Sequence, residues 1–113
     1  MDFDRFSIAL LILRDDAPAL SASDAAELQD AHMAHLADLH KAGHLLAAGP
    51  LFDDQYRGFS ILNVSPEDAK EMCEGDPAVR AGKYEVKVSA WMVPGGAMSF
   101  SPTVFPRSMG EIG

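Results

Sequence analysis

Apolar positions along this chain follow two different periods, and each change of period marks the boundary of an element. Arg5 to Arg14 (RFSIALLILR) is nearly continuous apolar sequence without Gly or Pro, which predicts a strand. Phe6, Ile8, Leu10 and Ile12 make one face and Ser7, Ala9, Leu11 and Leu13 the other. Both faces are mostly apolar, so both should be covered. Asp15, Asp16 and Pro18 break that strand. From Ser23 to about Ala42 the period becomes helical, with Ala25, Leu28, His32, His35 or Leu36, and Leu39 on the inward stripe. Ser21 or Ser23 can cap the start, and Gly43 can supply the left-handed stop.

His44 to Leu51 (HLLAAGPL) predicts a second strand, ended by Gly49-Pro50 because Pro50 cannot donate to a ladder. After the polar turn at Asp53, Asp54 and Gln55, Arg57 to Val64 predicts a third. Ser65-Pro66-Glu67-Asp68 combines a cap, a proline at the first helical position and acids in the first turn. The helix that it starts should reach about Glu74, and Pro77 can open a short further turn through Arg80. Tyr84 to Val93 alternates and predicts the last strand, with Pro94-Gly95-Gly96 after it.

The resulting β-α-β-β-α-β order predicts an α+β, ferredoxin-like domain over 1–96: a four-stranded antiparallel sheet with two helices on one face. Its other face would be bare and apolar, and a second copy packed sheet on sheet would cover it. A homodimer is therefore expected. The tail, 97–113, holds Met98, Phe100, Val104, Phe105 and Met109, too many apolar residues for a solvated segment. It is expected to pack on the dimer partner or on the sheet edge.

Composition narrows the functional classes. The 113 residues fit one domain, and 48% hydrophobic content excludes a disordered chain. A net charge of −8 argues against a phosphate-tracking basic groove, so no nucleic acid is expected. No apolar run reaches the ~18 residues of a membrane span, so no membrane partner is expected. The lone Cys73 cannot pair internally, which reads as an inert thiol in a cytoplasmic protein.

The four histidines, at 32, 35, 40 and 44, carry the chemical information. His32 and His35 lie one helical turn apart near the apolar face. His40 should point to solvent, and His44 has no evident role. A metal would need further ligands, and Asp53, Asp76 and Cys73 lack the spacing for it, so neither a metal nor any other cofactor is expected. The alternative is a His–Asp dyad, in which a carboxylate fixes the imidazole tautomer and leaves the other nitrogen free to take a proton. Asp76 suits this, because the Asp-Pro step holds it extended at a helix end. It can equally be only a turn-former and cap, and spacing alone does not choose. There is no P-loop, no GxGxxG and no GxSxG.

His-Leu-x-x-Leu at 35 to 39, Ala-Gly-Pro at 48 to 50, Arg-Gly-Phe at 57 to 59, Asp-Pro-x-Val-x-Ala-Gly at 76 to 82, and Trp91 together resemble the YCII-related family. The resemblance runs from about Ala31 to Met92. It implies a dimeric α+β barrel whose pocket is built around a His and an Asp, which map to His35 and Asp76. His32 then takes a packing or supporting role. Gly49, Pro50, Phe59, Ser60, Trp91 and His32 would line the pocket, which would hold a small molecule. The implied chemistry is cofactor-free proton transfer on a small aromatic or lactone-like substrate, of the lyase or isomerase type, as in a dehydrochlorinase of chlorinated hydroxyquinols. The alternative is a binding or accessory module that uses the same pocket without catalysis. The long tail departs from the short family form and could close the pocket.

Overall fold

A computed structural model describes residues 1–112. Its elements are β1 (Phe3–Leu13), α1 (Ala22–Lys41), β2 (Leu45–Pro50), β3 (Tyr56–Leu62), α2 (Pro66–Glu74), a single-turn α3 (Pro77–Arg80) and β4 (Tyr84–Pro94), followed by a 3₁₀ turn at Met109–Glu111. The helix ends follow from sequence. Ser21 Oγ accepts from the Asp24 amide at 3.1 Å, and Ser65 Oγ accepts from the Asp68 amide at 3.2 Å. Each satisfies an amide that the first helical turn leaves unpaired. At the far end of α1, Gly43 adopts φ +84°, which its missing Cβ permits. The Gly43 and His44 amides then bond back to the His40 and Leu39 carbonyls, both at 3.0 Å.

The sheet order is β2-β3-β1-β4, with every neighbouring pair antiparallel. This is the ferredoxin-like α+β fold expected from the element order. On β1, Ser7, Ala9 and Leu11 are buried. Ala9 belongs to a core with Leu45, Leu62 and Ala69, against which Leu36 and Leu39 of α1, Met72 of α2 and Val86 and Val88 of β4 pack. Buried Ser7 donates from Oγ to the Val64 carbonyl at 2.7 Å, which satisfies its hydroxyl. The alternate residues Phe6, Ile8, Leu10 and Ile12 are half-buried on the helix-free face. No helix among the described residues is long and apolar enough to cross a membrane.

The described part of the tail, residues 97–112, packs on its own chain. Phe100 meets Phe6 edge-on at 5.9 Å. The chain then runs antiparallel along α1. Phe105 stacks on His40 at 3.9 Å, Arg107 pairs with Asp38 at 2.7 Å, and the Met109 amide donates to Asp30 at 2.9 Å. The reason is chemical: α1 presents acids and an aromatic ring on its outer side that match this tail residue by residue.

Candidate functional site

Asp76 is the centre of the site, only 2% exposed. It sits between α2 and α3 in extended conformation, φ −64° and ψ 128°, as its position before Pro77 requires. Its Oδ1 accepts from the Ala78 amide at 2.9 Å and caps α3. Its Oδ2 accepts from His32 Nδ1 at 2.6 Å. One carboxylate oxygen thus caps α3 and the other accepts from a histidine ring. With Nδ1 donating to the carboxylate, the lone pair of His32 lies on Nε2. The Tyr84 ring stands edge-on to the imidazole at 6.4 Å. No buried side-chain nitrogen or oxygen among the described residues lacks a partner.

His32 opens onto a cavity of about 660 Å³ between α1, the β2–β3 part of the sheet and the tail. Of the residues expected to line a pocket, Gly49, Pro50, Phe59, Ser60 and His32 border it. Phe59 pairs with Leu10 in the sheet, so strand alternation sends its ring toward the helix-free face. A Cβ on Gly58 would come within 3.2 Å of Leu11 Cδ1, so a side chain there would have to displace the Leu11 side chain slightly. Leu11, Met33 and Leu36 supply apolar walls from within the domain, and Phe105, Pro106, Met109 and Ile112 supply another from the tail. Arg57 and Tyr84 are polar liners that the sequence reading missed. For the tail the signal was available in its apolar content. For Arg57 it was the Arg-Gly-Phe step, read there only as a family motif.

Three expectations are corrected. His35 does not reach Asp76; its Nε2 donates to the Met72 carbonyl at 2.9 Å and ties α1 to the end of α2. Asp76 lies level with the preceding turn of α1, so His32 meets it. Trp91 does not line the cavity. It pairs with Phe6 in the sheet and packs near that ring at 6.3 Å, on the helix-free face. His40 does not point to solvent: its ring nitrogens face the Leu45 and Thr103 carbonyls at 2.7 and 3.1 Å. Burial pushes the Cys73 thiol up to about 11, with the negative charges of Asp76 and Glu74 adding to it. No group of three or more His, Cys, Asp or Glu among the described residues is placed to hold a metal ion.

The fold and the site together define an α+β domain with a His–Asp pair, its carboxylate buried, beside a cavity between helix, sheet and tail. The model of the YCII-related domain family matches residues 8–92, and the chain belongs to that family. The solved structure of 5-chloro-2-hydroxyhydroquinone dehydrochlorinase from Burkholderia phenoliruptrix AC1100, in complex with 2,5-dihydroxybenzoquinone, is similar with a TM-score of 0.59. The two share 20% sequence identity over 76% of this chain and 92% of that one, a likeness of fold. No curated protein matches the chain.

Proposed function

We propose that the protein is a cofactor-free enzyme that moves a proton on a small organic molecule bound in the cavity, with His32 as the base. The observation that carries this reading is the 2.6 Å bond from His32 Nδ1 to the buried Asp76 carboxylate, with the same ring lining the cavity. An acidic O–H or C–H proton of the substrate passes to Nε2. The electron pair left behind forms a C=O or C=C bond, and a leaving group departs with its own bonding pair or the double bond migrates. Asp76 stabilises the imidazolium while it lasts, and the proton then passes to solvent or back to the substrate. His35, the base implied by the family motif, has its Nε2 occupied by a backbone carbonyl and serves packing instead. The dehydrochlorinase with a similar fold makes chlorinated hydroxyquinols the first substrates to try, with catechols and lactones beside them. The unpaired Cys73 supports a reducing, cytoplasmic setting.

The test is turnover of that set by the purified protein and two variants. His32→Ala should abolish it. Asp76→Asn keeps an oxygen for the Ala78 amide but presents an N–H₂ to Nδ1. That reverses the tautomer and should lower turnover about a hundredfold or more. Turnover unchanged in both variants refutes the mechanism. Ligand binding without turnover of any of these substrates favours the recognition module over the enzyme.

A further inference from the structure

The sequence carries a net charge of −8, yet the cavity is lined by no Asp or Glu among the described residues. Its permanent charge is Arg57. Arg57 makes no ion pair among the described residues, and its Nε donates only to the Asp54 carbonyl at 2.9 Å. The neighbouring Asp53 carboxylate accepts from the Tyr56 and Gln55 amides at 2.8 and 2.9 Å, and these bonds, with a smaller contribution from the Arg57 charge, hold its carboxyl below the usual range. Arg57 borders the cavity at an irregular point of the sheet. Between β1 and β3, Leu11 is opposite Gly58 and Ile12 is opposite Tyr56, so Arg57 is the extra residue of a β-bulge. A bulge re-aims a side chain that regular alternation would send to the other face. The rest of the wall is mainly apolar, with Leu11, Met33, Leu36, Phe105 and Met109.

We infer that the cavity takes a small, largely apolar organic anion, whose carboxylate or ionised hydroxyl is held by the Arg57 guanidinium while its body lies against the apolar walls. This rests on the cavity being the substrate site, as proposed above, and it names the class of substrate. A guanidinium with free N–H groups matches an oxyanion with two parallel hydrogen bonds. A neutral analogue leaves the cation without its partner.

The experiment compares benzoate with benzamide, and 2,5-dihydroxybenzoquinone with its dimethyl ether, by calorimetric or NMR titration of the whole chain. The acid of each pair should bind at least about tenfold more tightly than the neutral member. Arg57→Gln should remove that preference, and Arg57→Lys should keep part of it because the charge remains. Equal binding of acid and neutral members, no binding of either, or a preference unchanged in Arg57→Gln overturns the inference. His32→Gln keeps the two readings apart: it should retain the anion preference while losing turnover. The anion reading thus fails on binding and the proton-transfer reading on turnover.

Discussion

At the scale of single residues, His32 and His35 show how one helical turn separates two roles. Both are histidines on the inner side of α1. One donates to a buried carboxylate and the other to a carbonyl at the end of α2. His35→Ala should therefore lower stability by about 1–2 kcal/mol in urea denaturation while leaving ligand affinity unchanged. A changed affinity with unchanged stability would contradict this assignment. Asp76→Ala removes a helix cap and leaves the His32 N–H buried without a partner. Its expected cost is about 2–4 kcal/mol, and a loss below about 1 kcal/mol would show that the pair adds little to folding. Cys73 adds a pH dependence. Its folded thiol is raised from 9.0 to about 11, so the unfolded chain releases that proton first. The neutral thiol's contribution is complete below about pH 9 and is lost as pH rises toward about 11. Native protein should accordingly react slowly with thiol reagents at neutral pH, in contrast to the same protein in urea.

Among the elements, the tail decides the shape of the cavity. Residues 8–92 carry the family match, so the wall formed by Phe105, Pro106, Met109 and Ile112 lies outside it. Arg107 holds that wall to α1 through Asp38, and its hydrogen bond and charge keep the Asp38 carboxyl below the usual carboxylate range. The sign follows: the pair contributes fully above the ordinary carboxylate range and is lost only as pH falls through the depressed value. Both side chains are exposed, so the effect on global stability is small. It should be visible locally instead. Asp38→Ala should speed tryptic cleavage after Arg107 and amide exchange at Met109, with little change in the melting of the sheet. Equal cleavage rates in the two proteins would show that the stacked Phe105 and the Met109–Asp30 bond suffice to hold the tail.

Over the whole molecule, the helix-free sheet face carries an apolar patch. Phe6, Ile8, Leu10 and Ile12 line its centre, and Leu51, Tyr56 and a fully exposed Phe52 lie beside it. Such a contiguous patch on a small chain calls for a cover, and a second copy across a two-fold axis is our proposal. Light scattering at low micromolar concentration should give about twice the 12.1 kDa chain mass, and Leu10→Glu should halve it. A folded wild-type monomer at that concentration would refute the dimer.

The sequence by itself determined the elements, their order and the fold, because period, caps and turn residues act over a few neighbouring positions. Ser65-Pro66, Asp76-Pro77 and Gly43 each mark a boundary that the structure keeps within a residue or two. It also singled out Asp76 and the histidine pair as candidates for the chemistry. Only the tertiary structure decided which histidine meets Asp76. Positions 32 and 35 differ by about 60° around α1 and by ~4.5 Å along it, and the level at which α3 crosses the helix sets the choice. The same holds for Arg57, aimed by a bulge that depends on the register of β1 against β3. It holds for the tail, whose place on α1 rests on contacts between residues 63 to 79 positions apart. No local pattern reports such pairings, because they form only when distant segments are brought side by side.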